Sequence, residues 1–161
     1  MRKFLQSLRL DQSDSHVFEA AAAPGEWAVP GTFAFLQLDL EQADRKQRLA
    51  FSSGWLGCLS FGHTTLVEVA EIEEAEFFAV IERLGRHFVD HYGAPGLAAA
   101  LPAAREEAEL SASLAAEHKV GTLLAIAREV DDDGAIREGY RVIQPSRAEE
   151  HAKIWTIVEE E

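Results

Sequence analysis

The sequence predicts an α+β fold, with an antiparallel sheet of about five or six strands and helices packed mainly on one face. Three observations support this prediction. Short apolar runs in the N-terminal third are separated by the turn pairs Pro24-Gly25 and Pro30-Gly31. Residues 73–92 instead have the apolar spacing of a helix. Further along, an acidic run ending in Gly134 separates two strand-like segments, which is typical of a β-hairpin.

The N-terminal third is predicted to form short strands. Phe4, Leu8 and Leu10 fall on one side of an extended segment that covers residues 4–10. Extended runs around the turn pairs predict three further strands, at residues 17–21, 27–29 and 32–38. Strands joined by such short turns are expected to pair antiparallel.

A helix and a long strand are predicted next. The helix follows Asp39, a favourable N-cap residue with Gln42 at the third helical position, and ends at Gly54. Apolar and β-branched residues then predict a central strand over residues 58–72, bent at Gly62. Because both faces of this strand carry such residues, we expect it to be buried on both.

Two long helices are predicted in the middle of the chain. Phe77, Ile81, Leu84 and Phe88 form one apolar stripe along the first, at residues 73–92. The second helix has a proline in its first turn. A backbone N–H at this position would have no carbonyl partner within the helix, so its absence costs no hydrogen bond.

This second helix is predicted to start near Pro102 and to end near Glu117. Its alanines form one face, which we expect to pack closely against the sheet or the preceding helix. Leu110 and Leu114 lie on another side of the helix, and we expect them to contact a partner.

The last part of the chain is predicted to form a hairpin followed by a docking segment. Strand-like runs at residues 122–130 and 135–143 flank the acidic turn. Ser146 and Glu149 then form a capping box, which favours a helix. A terminal strand in the run KIWTIV is the close alternative.

We therefore expect a single domain at residues 1–145 and a C-terminal docking segment, helix or strand, at residues 146–161. The apolar side chains of this segment are expected to pack against another apolar surface. They either dock on their own domain or bind a second copy or another protein. The residues expected to dock are Ile154, Trp155, Ile157 and Val158.

Composition limits the possible functions. The 161 residues, 47% of them apolar, suffice for one domain with its own core. A net charge of -13 opposes nucleic-acid binding, which depends on cationic side chains. Arg45, Lys46 and Arg48 are the local exception, and they form either a solvated helix face or a patch for an acidic partner.

The expected location is the cytoplasm. The N-terminal residues lack the apolar run of an export signal, and no stretch is apolar enough for a membrane helix. We therefore expect no membrane association. Cys58 is the only cysteine, so no intramolecular disulfide can form.

His87 and His91 are the candidate metal ligands, because residues four apart on a helix can bind one zinc ion together. Neither Asp90 nor Ala94 extends the pair to a third ligand on the same row. Arg83, one turn before His87, opposes a second cation. We therefore expect no metal and no other cofactor.

Nucleophilic and calcium chemistry are also disfavoured. Cys58 and His63 are five residues apart, so a regular strand would direct them to opposite faces. The acidic turn at residues 131–134 resembles the start of a calcium loop, but Glu138 comes too early for the twelfth-position ligand.

Without a catalytic motif, we expect a non-enzymatic cytoplasmic accessory or interaction protein that binds a protein partner or forms a homo-oligomer. The alternative is a small-ligand-binding protein or enzyme with a pocket between sheet and helices. Side chains from four separate elements could converge there, although spacing cannot test this. They are His63, Glu68, His91 and Tyr140.

Three phrases resemble a small family of unknown function found mainly in proteobacteria: GEWAVPGTFAF, FSSGWLGCLSFGHTTLVEV and VGTLLAIAREVDDDGAIREGYR. The resemblance covers residues 3–143, and the segment from Ser146 onward departs from the family's pattern. Members of that family lie near genes for formate-dehydrogenase assembly and lipoate-ligase-like proteins. The resemblance implies an assembly helper for a redox enzyme, and it assigns no catalytic residue.

Overall fold

The computed structural model describes residues 2–8, 18, 20–145 and 155–159, with 145 and 155–159 described through their backbone alone. The helices are α1 Arg45–Ser53, α2 Glu74–His91 and α3 Leu97–Ala116, together with a 3-10 helix at Thr32–Phe35. The strands are β1 Arg2–Leu8, β2 Trp27–Val29, β3 Trp55–Gly57, β4 His63–Thr64, β5 Leu66–Ile72, β6 Leu123–Val130, β7 Ile136–Pro145 and β8 Trp155–Glu159.

These strands form one sheet in the order β4-β3-β2-β1-β5-β6-β7-β8, and all neighbours pair antiparallel. The predicted α+β class and antiparallel sheet are confirmed, but the number of strands exceeds the predicted five or six. Part of the difference arises at residues 58–72, where β4 and β5 replace one long strand. Thr65 forms a bend between these two strands. Residues 58–62 lie outside the strands, and Phe61 among them adopts a left-handed φ of 59°, which an extended strand does not allow.

The sheet is buried on both sides at β1 and β2, because successive strand residues point to opposite faces. Phe4 and Val29 belong to a first apolar cluster that includes residues of α2 and α3. Their neighbours Leu5 and Ala28 belong to a second cluster with residues of β5 and β6. Ala115, near the end of α3, also joins this second cluster.

Helix α1 begins at Arg45, so the helix start predicted after Asp39 is wrong. Asp44 is the N-cap: its side chain accepts a hydrogen bond from the Gln47 N–H at 2.8 Å. The Gln47 side chain in return accepts one from the Asp44 N–H at 2.9 Å. This reciprocal capping box satisfies two backbone donors. Asp39 instead accepts from the Glu41 N–H in a preceding turn.

The strand predicted at residues 32–38 is also wrong, because the chain forms a 3-10 helix there. Gly31 precedes this helix with a left-handed φ of 74°. A Cβ at this position would lie 2.6 Å from the Leu56 Cβ, so both the conformation and the close approach require glycine. Tertiary contacts of the turn therefore override the β-propensity of the sequence.

The helix predicted at residues 73–92 is confirmed as α2. Helix α3 starts earlier than expected, so Pro102 lies inside it and not in the first turn. The N–H that proline lacks would have bonded to the carbonyl of Ala98, an exposed residue that water can reach. Among the described residues, no helix combines the length and hydropathy needed to cross a bilayer.

The predicted hairpin is confirmed as β6 and β7. Asp131 accepts hydrogen bonds from the N–H groups of Asp133 and Ala135, and Gly134 has a φ of 85°. Residues 155–159, for which the sequence left helix and strand open, form β8. This strand pairs with β7 from Arg141 to Pro145.

Candidate functional site

His63 is a partly buried histidine on the edge strand β4. Its backbone is fixed by hydrogen bonds to Ala20 at 2.8 Å and from Ala22 at 2.9 Å. Its ring lies between two aromatic rings, 5.8 Å from that of Phe18 and 5.6 Å from that of Phe35. The ring nitrogen Nε2 is buried and has no hydrogen-bond partner among the described residues.

Burial, followed by the charge of Arg128, lowers the pKa of His63 to about 4. The imidazole is therefore neutral at neutral pH, with one N–H and one lone pair. His63 lines a cavity of about 320 Å³, which we call the His63 cavity. Its walls are formed by Ala20, Ala34, Phe35, Leu38, Lys46, Gln47, Ala50, Phe61, His63 and Tyr92.

A second cavity of about 610 Å³ adjoins the first, and we call it the His91 cavity. Ala34 and Tyr92 line both cavities. The remaining walls come from the 3-10 segment, the end of α2 and the first turns of α3. They are Phe33, Leu36, Gln37, Phe88, His91, Ala94, Ala99, Ala100 and Ala103.

Tyr92 separates the two cavities at the end of α2. Its N–H donates to the Phe88 carbonyl at 3.0 Å, which closes the helix. Its ring contacts Phe33 at 5.4 Å and His87 at 5.5 Å between centroids. The side chain is nevertheless 47% exposed, so it stands at the mouth of both cavities.

His87 and His91, the candidate metal ligands, lie with ring centroids 4.8 Å apart. The His87 ring stacks flat on Phe61, with centroids 3.8 Å apart. Burial and the nearby His91 lower the pKa of His87. Within the described part of the chain, no group of three or more His, Cys, Asp or Glu side chains could hold a metal ion.

The pocket expected from the sequence is divided in the structure. His63 and His91 line adjoining cavities. Tyr140 lies elsewhere, stacked on Trp55 with centroids 5.8 Å apart, and its hydroxyl donates to Glu138. Glu68 lies on β5 between Gln6 and Leu123 and lines neither cavity.

Sequence reasoning missed Arg128, which fixes the walls of the His63 cavity. Its guanidinium is fully buried and donates to the carbonyls of Phe51 at 2.8 Å, Gly54 at 3.0 Å and Pro30. Its Nε donates to Glu138 at 3.2 Å. Arginine suits this position because its planar head carries five donors.

Glu107 of α3 binds Gly31, the residue that directly precedes the 3-10 helix. Its carboxylate accepts a hydrogen bond from the Gly31 N–H at 2.8 Å, and burial raises its pKa. Arg128 meanwhile binds Thr32 at 2.9 Å. Side chains from two other elements therefore bind the chain at Gly31 and at Thr32. They position the 3-10 helix that carries Phe33 and Phe35, whose own helical hydrogen bonds are weak.

A sequence signal for Arg128 exists in the alternation along β6. Leu124 and Ile126 point to the buried face, and Arg128 is the next residue on that face. By contrast, Cys58 carries no reactive thiolate at neutral pH, because burial raises the pKa of its thiol.

Of the residues expected to dock a partner, Leu110 and Leu114 line neither cavity. Leu110 is 40% exposed on α3, whereas Leu114 packs partly against the second cluster. Trp155, Ile157 and Val158 lie on β8, and Ile154 falls outside the described residues.

A model of one protein family matches residues 1–159. The chain belongs to this family of unknown function, DUF6505. The predicted resemblance to a family of unknown function is thereby confirmed, and the match to DUF6505 extends beyond residue 143 to include β8. No curated protein and no solved structure matches the chain. DUF6505 assigns no residue role, so both cavities are interpreted from their own geometry.

Proposed function

We propose that the protein binds a small ligand in the His63 cavity. The observation that carries this proposal is the buried Nε2 of His63, which lacks a partner among the described residues. Buried polar atoms are nearly always hydrogen-bonded. His63 itself lines the cavity, so a rotation of its ring would bring the unpaired nitrogen to a ligand that supplies the missing bond.

The chemistry of the walls supports a ligand with an apolar body and one polar group. Phe35, Phe61 and Tyr92 offer aromatic surface, which is common in small-molecule sites. The neutral His63 imidazole offers a single hydrogen bond, which suits a hydroxyl, amide or carboxyl group. Nothing in this arrangement requires a nucleophile, so binding alone is proposed and no reaction.

Phe61 gives further support. Its φ of 59° is strained for a bulky residue, and such strain clusters at functional sites. The strained conformation stacks the Phe61 ring on His87 and presents the residue to the His63 cavity. A ligand site accounts for retaining an aromatic residue where glycine would be unstrained.

Saturation-transfer NMR with a panel of small aromatic and aliphatic alcohols, amides and acids tests the proposal. We expect some members to bind the wild-type protein and to bind His63→Phe at least tenfold more weakly. His118→Phe is the matched control, because His118 lines neither cavity. Circular dichroism establishes that both variants are folded. The proposal fails if no compound binds, or if both variants bind as the wild type does.

A second candidate is the accessory role that the sequence predicts, in the cytoplasm and on a protein partner. Its support is a set of exposed apolar side chains on the long helices: Phe78 is 48% exposed, Leu101 36% and Leu110 40%. Sedimentation velocity tests the homo-oligomer form of this role. Replacing Phe78 and Leu110 with glutamate should then reduce the sedimentation coefficient, whereas a monomeric wild type would exclude self-association.

A further inference from the structure

The two cavities are neighbours that share Ala34 and Tyr92 as walls. Tyr92 is the natural boundary, because its ring contacts Phe33 on one side and His87 on the other. A ligand longer than the His63 cavity would therefore pass Tyr92.

The rim of the His63 cavity carries a cation. Lys46 and Gln47, on the first turn of α1, line the same cavity as His63. Within the described residues, the Lys46 ammonium makes neither a salt bridge nor a hydrogen bond. It is thus available to a ligand.

The His91 cavity is lined mainly by apolar side chains. Phe33 and Phe88 pack edge to face with centroids 4.8 Å apart, and alanines of α3 complete the wall. Alanine side chains leave space that longer residues would fill. Such a surface suits a flexible hydrocarbon chain, which gains affinity from buried area without needing polar partners.

Acidic side chains are absent from both sets of walls as far as the structure describes the chain. This is unexpected in a protein with a net charge of -13 and 28 acidic residues. A site free of carboxylates but bordered by a lysine favours an anion and disfavours a cation.

We infer that the ligand is an elongated monocarboxylate, with its carboxylate beside Lys46 and His63 and its hydrocarbon chain running past Tyr92 into the His91 cavity. This inference rests on the proposed ligand-binding function and adds the charge, length and orientation of the ligand. Lys46 supplies the charge preference, while the imidazole of His63 supplies one directed hydrogen bond to a carboxylate oxygen.

Isothermal titration calorimetry with matched probes tests the charge preference. Decanoate should bind more tightly than decan-1-ol by roughly twofold to fivefold, because an exposed ion pair adds modest affinity. Decylamine should bind most weakly. Lys46→Gln should abolish the difference between acid and alcohol while it leaves alcohol binding intact. Lys119→Gln is the control, because Lys119 lines neither cavity.

The affinities of butanoate, hexanoate and decanoate test the inferred ligand length and the entry of the hydrocarbon chain into the His91 cavity. Affinity should rise roughly threefold to fourfold for each added methylene that is buried. Ala103→Phe should weaken decanoate but not butanoate, because Ala103 lines the His91 cavity and is exposed enough to be replaced without disturbing the core. Ala98→Phe, on the exposed side of the same helix, is the matched control.

Four results would overturn the inference. Equal affinity for decanoate and decan-1-ol would exclude the role of Lys46. Equal affinity for butanoate and decanoate would exclude the path into the His91 cavity. If this series fails to bind but other compounds bind in a His63-dependent way, the inference fails and the proposed function stands. If no compound binds, both fail.

Discussion

The guanidinium of Arg128 lies 4.9 Å from the ring centroid of Phe35, so a residue of strand β6 supports an aromatic wall of the His63 cavity. The same guanidinium binds the carbonyls of Pro30, Phe51 and Gly54. One charged side chain therefore links the sheet, the end of α1 and the 3-10 helix.

Replacing Arg128 with methionine should reduce the free energy of unfolding by about 3–5 kcal/mol. The variant leaves three buried carbonyls without their donor and removes the cation beside the partly buried Glu138, which keeps its hydrogen bond from Tyr140. Arg128→Lys should also destabilise, since an ammonium cannot reach all these acceptors in one plane. Urea denaturation measures the effect, and Arg137→Met, an exposed position on the same hairpin, is the control. A loss below about 1 kcal/mol would contradict the central role of Arg128.

His63 should make stability depend on pH. Its folded-state pKa of about 4 lies below the ordinary 6.5, so the unfolded chain binds more protons between these values. This contribution to the free energy of unfolding is complete above pH 6.5 and is lost as the pH falls towards 4.

The difference in stability between wild type and His63→Phe should therefore change by about 3 kcal/mol across this window, to the disadvantage of the wild type at acid pH. Urea titrations of both proteins at several pH values measure it, and the comparison removes the common effect of the carboxylates. Parallel pH profiles for the two proteins would show that His63 titrates normally.

Alanine substitutions at Gly31 and Gly93 distinguish the free-energy cost of backbone strain from the cost of a steric clash. Both have left-handed φ, 74° and 78°, but only a Cβ at Gly31 would meet another atom within 3 Å. Gly93→Ala should cost about 1–2 kcal/mol, the strain of the left-handed conformation alone. Gly31→Ala should cost roughly 1–3 kcal/mol more because Leu56 must move. Thermal and urea denaturation of the pair measure the difference, and equal losses would mean that Leu56 adapts freely.

Ending the chain at Pro145 should expose the edge of β7 and promote self-association. β8 pairs with Arg141 to Pro145 in the full chain, and an unpaired edge strand is a template for another chain. Size-exclusion chromatography with light scattering should reveal a concentration-dependent increase in mass, with native circular dichroism. A chain lacking only residues 160–161 is the control. A truncated protein that stays monomeric would contradict this role of β8.

Local signals predicted those elements that local interactions determine. The β6–β7 hairpin follows from Gly134 and the Asp131 turn, and α2 follows from its apolar stripe. The 3-10 helix at Thr32–Phe35 could not be predicted, because its residues favour strands. Contacts with Glu107 and Arg128, distant in sequence, hold it in place.

The candidate site, like the fold, was predictable only where local sequence signals sufficed. His63 and His91 were identifiable as candidate pocket residues, but spacing alone could not show that their cavities adjoin through Ala34 and Tyr92. The sequence left open whether Lys46 belongs to a solvated helix face or to a patch for an acidic partner, and it did not connect Lys46 with His63. The position of Lys46 at the rim depends on Asp44, rather than Asp39, starting α1.

The hydrogen bonds of Arg128 also bear on how the chain folds. They join residues as far as 98 positions apart, so the buried guanidinium cannot find its acceptors until β6, α1 and the 3-10 segment have assembled. Contacts of such sequence separation form late, because loop closure costs entropy before they can stabilise the chain. Arg128 is therefore expected to consolidate after the rate-limiting barrier, so that its replacement accelerates unfolding far more than it slows refolding.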